Sequence, residues 1–160
     1  MAGQVLGYLR NRGGRDPEDL LGEVFAQVAR NIAAFEGDEQ GFRSWVFTIA
    51  RHRLIDERRY HSRRPVEPLD DLTTHREPGE VEEEVLGSLA VEGIRTLILK
   101  LTSNQRDVLL LRLIGGLSVE EVARAVGKRP GAVRTLQHRG LVTLRRLLRT
   151  EGVTPGRDER

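Results

Sequence analysis

Residues 117–139 read LSVEEVARAVGKRPGAVRTLQHR, which places two helix starts on either side of a glycine turn. Ser118 followed by Glu121 is a capping box, and Val119, Val122, Ala123 and Val126 then fall on one helical stripe. Gly127, Lys128 and Arg129 form a tight connection. Pro130 stands at a natural first position of a second helix that carries Val133, Leu136, Leu141, Leu144, Leu147 and Leu148. Two capped helices on a three-residue, glycine-containing turn have helix-turn-helix spacing. From Lys128 to Arg149 there are seven bases and no acid. A helix about 10 Å wide fits a major groove about 12 Å wide, and Arg134, Thr135, His138 and Arg139 lie on the outward face, with Lys128 and Arg129 beside its start. DNA binding is the expected role; an ordinary helical hairpin would mix acids among its bases.

Upstream, Val85, Leu89, Ile94, Leu97, Ile98 and Leu101 keep helical spacing. Thr102 with Gln105 is another capping box, and the apolar run from Val108 to Ile114 stops at Gly115 and Gly116. These elements make residues 85–150 one domain, followed by a tail at 151–160. Before it, Pro65, Pro68 and Pro78 stand among acids with few apolar residues, so 61–84 reads as a linker. Glu82, Glu83 and Glu84 read as a solvated helix start.

The first domain, residues 1–60, is organised around two stripes. Leu20, Leu21, Val24, Phe25, Val28 and Ile32 form one, opened by Asp16 as cap, Pro17 at the first position, and Glu18 and Asp19 at the favourable end of the helix dipole. After a Gly- and acid-rich break from Phe35 to Gly41, the residues Phe42, Trp45, Val46, Ile49 and Ala50 begin a second helix predicted to run to about Tyr60. The expected fold is all-α: two small helical domains on a flexible acidic linker.

The net charge of +2 hides strong segregation. Residues 43–64 carry seven Arg and two acids, residues 65–93 one Arg and nine acids, and residues 94–150 twelve bases and three acids. Two basic blocks around an acidic one suggest two polyanion-binding modules on a tether. In the first block Phe35, Phe42, Trp45, Phe47 and Tyr60 lie among or beside arginines, an arrangement that suits unstacked bases. Phe25, Phe42 and Trp45 fall on core stripes; Phe35 and Tyr60, at element ends, are the stacking candidates.

The 160 residues include no cysteine, which excludes a disulfide framework or a Cys-based metal site. No apolar run is long enough for a bilayer, and the cytoplasm is the default location. There is no glycine-rich phosphate loop. His52 and Asp56 stand four apart on a helix without a third ligand, so they read as a surface pair. No cofactor, metal or catalytic residue is expected.

Residues 16–25, DPEDLLGEVF, with 42–51, FRSWVFTIAR, and 117–139 occur in the order of the bacterial sigma factors of the extracytoplasmic-function type, which this chain resembles. The resemblance implies a dissociable specificity subunit of core RNA polymerase, not an enzyme. Its first domain would dock on the coiled coil of the beta-prime clamp and melt the minus-ten element. Its second would read the minus-35 element of promoter DNA as duplex while contacting the beta flap. On that resemblance Asp19, Glu23 and Gln27 face the clamp. Phe35 and the loop to Gly41 match a pocket for a flipped base, with Ala50, Arg51 and His52 beside it and Arg58 and Arg59 further along. Lys128, Arg129, Arg134, Thr135, His138 and Arg139 match the minus-35 readers. An anti-sigma factor is implied as a partner. Three departures stand out: the N-terminal helix before Asp16 is expected to be incomplete, Gly22 replaces a longer polar residue, and His52 replaces Asn. The acidic linker is expected to cover the basic last helix in the free protein. A free-standing helix-turn-helix regulator and a helical interaction protein are the alternatives.

Overall fold

The computed structural model describes residues 1–63 and 93–151, and these form helices joined by short turns. Helix α1, Ala2–Arg12, is the helix before Asp16 that only the resemblance implied. It forms because Val5, Tyr8, Leu9 and Arg12 recur at helical spacing and are all buried. Helix α2, Pro17–Asn31, starts as its sequence dictates: the Asp16 carboxylate accepts from the backbone N–H of Asp19 at 3.0 Å. A 3₁₀ turn, Ile32–Ala34, leads to an extended Phe35.

Helix α3, Glu39–Arg63, is longer than expected at both ends. It begins before Phe42 because Asp38 caps it, accepting from Gly41 N–H at 2.8 Å. It continues through residues 61–63, which correct the expected linker boundary. The rest of that linker, and with it the expected covering of the last helix, lies outside the described residues, as does most of the tail.

Residues 93–99 are helical and are called α4. Helices α5, Ser103–Leu113, and α6, Val119–Val126, open with complete capping boxes, and α7, Pro130–Thr150, carries Pro at its first turn. Two small helical domains on a flexible linker were expected, with no contact between them foreseen. Instead α1 packs on α5 and α3 on α6, so that Val5, Leu9, Phe47 and Ala50 share one core with Val108, Leu111, Val122 and Val133. Each half alone has little apolar surface to bury, and packing them together covers more of it.

Candidate nucleic-acid interface

The helix-turn-helix geometry follows from local chemistry. Gly127 closes α6 at φ 67°, a left-handed conformation that costs glycine little, and the Lys128 N–H then bonds to Ala123 O at 3.0 Å. Val122, Ala123 and Val133 are buried at the crossing of α6 and α7. Gly140, one face further along α7, lies so close to Leu109 that a Cβ would meet its Cδ1 at 2.9 Å.

Opposite this packed face, Lys128, Arg129, Arg134, Thr135, His138 and Arg139 are all exposed. No side chain caps the start of α7, so its first N–H groups and the positive end of its dipole stand beside Lys128 and Arg129, an arrangement suited to phosphate. Thr135 donates its hydroxyl to Gly131 O at 3.1 Å. Arg134 meets Glu120 at 3.3 Å, with both side chains more than half exposed, so solvent screens the pair and a DNA phosphate can displace it.

The second candidate surface is an open cleft of about 570 Å³ lined by Gln27, Asn31, Ala34, Phe35, Glu36 and Trp45. Phe35 stacks on Trp45 with ring centroids 5.0 Å apart and planes 20° from parallel, and it meets Phe42 edge-on at 5.4 Å. Phe42 and Trp45 are half-buried and pack against the core, as their stripe indicates, and they also belong to the Phe35 cluster. Tyr60 is exposed, packs edge-on against His61, and lines a different cleft. That other cleft holds Asp19 and Glu23 with Arg15, Arg53 and Asp56. Gln27 does not join them: it accepts from Arg53 Nε at 2.9 Å and lines the aromatic cleft.

The arginines of α3 divide by environment. His52 and Arg59 are exposed. Arg58 is half-buried and donates to the carbonyl of Arg12, closing the C-terminus of α1. Its guanidinium is thus engaged in holding α1.

Arg51 points to the second domain. Its Nε donates to Asp107 Oδ2 at 2.7 Å and its Nη1 to Ala125 O at 3.2 Å. Asp107 Oδ1 accepts from Tyr8 OH at 2.7 Å and from Arg12 Nε at 3.1 Å. Burial alone would raise the Asp107 pKa; the Arg12 charge, with hydrogen bonds from Arg51, Tyr8 and Arg12, outweighs it and holds the carboxyl below its ordinary value. Sequence reasoning missed this cluster. Its one signal was that Asp107 is the sole acid of residues 94–117, set at the head of an apolar run.

Among the described residues no group of three or more His, Asp or Glu could hold a metal ion. Residues 1–64 match the family model described as Sigma-70 region 2, and residues 92–144 that of Sigma-70, region 4. The chain is 37% identical over 145 residues to the ECF RNA polymerase sigma factor BldN of Streptomyces coelicolor, an alignment covering 88% of this chain and 54% of that protein. Against the ECF RNA polymerase sigma factor ShbA of Streptomyces griseus it is 35% identical over 154 residues, covering 89% and 81%. In fold it is similar to the sigma factor RpoE from Bartonella quintana, solved in complex with the anti-sigma factor NepR, with a TM-score of 0.71, 19% identity, and coverage of 92% and 91%.

Proposed function

The chain belongs to the extracytoplasmic-function sigma factors of RNA polymerase, and from that membership we propose a division of labour among its three surfaces. The exposed face of α7, with Lys128, Arg129, Arg134, Thr135, His138 and Arg139, reads the minus-35 element as duplex. Phosphate contacts set register there and a few side chains at base edges give specificity. The cleft around Phe35 and Trp45 takes a base unstacked from the minus-ten element, with Arg51, His52 and Arg59 alongside. Unstacking costs a few kcal/mol, and aromatic stacking supplies a comparable amount. The acidic edge formed by Asp19 and Glu23 docks on the beta-prime clamp, and the second domain also meets the beta flap. Gln27 belongs to the base cleft in this scheme and touches the clamp side only through Arg53.

The observation that carries this reading is the pairing of an acid-free, outward basic helix with a separate aromatic cleft in one chain. A free-standing helix-turn-helix regulator would have use for the first feature alone. The protein then acts by binding and strand separation without covalent chemistry. It works where the chromosome is, in the cytoplasm; no described helix is long and apolar enough to cross a membrane. An anti-sigma factor is a partner by analogy with the RpoE complex. The test is co-purification with core RNA polymerase followed by run-off transcription. A chain that neither binds core enzyme nor initiates on any template in a promoter library refutes the proposal.

A further inference from the structure

Every residue assigned to the minus-35 element is exposed, but Arg51, assigned to the minus-ten strand, is not. Its side chain is 18% exposed and engages Asp107 and Ala125 of the second domain. Asp107 is 4% exposed and gathers three first-domain side chains, Tyr8, Arg12 and Arg51, on its two oxygens. Arg12 also reaches Ser103 Oγ at 3.2 Å. The same face of α3 continues the contact: Gln40 donates to Gly116 O at 3.2 Å and to Glu121 Oε2 at 2.9 Å, and Arg43 to Gly115 O at 3.4 Å.

A carboxylate taken out of water is costly unless charge and hydrogen bonds compensate it, and here all the compensation comes from the other domain. Separating the domains strands that charge until water reaches it. A guanidinium edge that holds a carboxylate cannot also hold a phosphate or a base.

We propose that Asp107 is an intramolecular latch, which holds the two domains closed in the free chain and occupies Arg51 in place of single-stranded DNA. Strand capture by α3 then requires the latch to open, whereas duplex reading by α7 does not. The latch is independent of any partner; its effect on DNA rests on the assignment of Arg51 to the minus-ten strand.

The 160-residue chain has no cysteine, so Ala29→Cys and Arg149→Cys, at exposed positions in the two domains, give unique spin-label sites for distance measurement. Asp107→Asn keeps the shape of the side chain and removes its charge. In this variant the interdomain distance should lengthen and broaden. Its affinity for short, labelled single strands of random sequence should rise about tenfold, within the usual range of coupling between sites. Tyr8→Phe, which keeps the ring against Phe47 and removes one hydrogen bond, should move both readouts the same way by less, and it serves should Asp107→Asn fail to fold. Arg51→Gln should lengthen the distance without the gain in affinity. An unchanged distance distribution in folded Asp107→Asn and Tyr8→Phe overturns the latch, as does opening without tighter binding. A gain in Asp107→Asn that survives the addition of Arg51→Gln leaves the closing role of Asp107 standing and overturns the assignment of Arg51 to the strand.

Discussion

Tyr8 donates its hydroxyl to Asp107 at 2.7 Å across 99 residues of chain, with its ring held edge-on to Phe47 at a centroid distance of 5.8 Å. The bond ties the first helix to the fifth. Tyr8→Phe keeps the ring and leaves Asp107 with Arg12 and Arg51, so it should cost about 1–2 kcal/mol in urea unfolding with an unchanged slope. Asp107→Ala removes the carboxylate that Arg12 meets among the described residues, and a loss of about 3–5 kcal/mol is expected because a buried charge is left unpaired. Equal losses in the two variants would show that the network acts only through the tyrosine.

The same pair sets a two-sided pH dependence. Asp107 titrates below its ordinary value when folded, so its stabilisation is complete above the unfolded value of about 3.9 and falls away as pH drops through the lower native one. Tyr8 behaves oppositely: burial, then the Asp107 charge, pushes its phenol well above the ordinary value. Its contribution is complete below about pH 10 and is lost as pH rises through the native value. Unfolding free energy followed across pH should therefore fall at both ends, and Tyr8→Phe should abolish this residue's share of the alkaline fall and reduce, without removing, the acid one, since its hydrogen bond is one of those that hold Asp107 low. A Tyr8→Phe profile parallel to wild type at high pH would contradict this.

Trp45 is the only tryptophan and stacks on Phe35, so its fluorescence reports directly on the aromatic cleft. Single-stranded DNA of the minus-ten sequence, added to holoenzyme reconstituted with core polymerase whose own tryptophans are replaced, should quench it. Phe35→Ala should slow open-complex formation by an amount equivalent to about 1–3 kcal/mol, the range for one stacked base. Binding of holoenzyme to minus-35 duplex should be unaffected.

Two glycines should respond to Ala in opposite directions. Gly22 is exposed inside α2 with nothing within 4 Å of an added Cβ, so Gly22→Ala should raise stability by about 0.5–1 kcal/mol. At Gly140 the Cβ would meet Leu109 Cδ1 at 2.9 Å and Gln105 Cβ at 3.4 Å, and overpacking there should cost about 1–3 kcal/mol. Thermal melts of the two variants decide both.

The helix-turn-helix was legible because its determinants are local: Ser118 with Glu121, Gly127 and Pro130 each act within one turn of helix. The exposure of Arg134 and Arg139 followed from the same periodicity. Helix α1 was implied by resemblance and not by its own residues, since Gly3 and Gly7 weaken its pattern and its stability comes from packing Val5, Tyr8 and Leu9 on distant helices. Arg51 and Arg58 looked like their neighbours Arg53 and Arg59 in sequence. What separates them is a carboxylate 56 residues away in one case and a helix end 46 residues away in the other, and no local pattern encodes either.

Arg134 and Arg139 offer the cleanest separation of recognition from folding. Both are exposed, and the ion pair of Arg134 with Glu120 is screened by water, so replacing either with Ala should change unfolding free energy by no more than about 0.5 kcal/mol. On a cognate promoter duplex bound by holoenzyme, a side chain that reaches a base edge should cost about 1–3 kcal/mol when lost and relax preference at one position. One that touches only phosphate should weaken cognate and random duplex alike and lower the salt dependence. Titrating both variants against both duplexes at several salt concentrations assigns each arginine. Unaltered affinity in both, at every salt, would remove this face of α7 from the promoter interface.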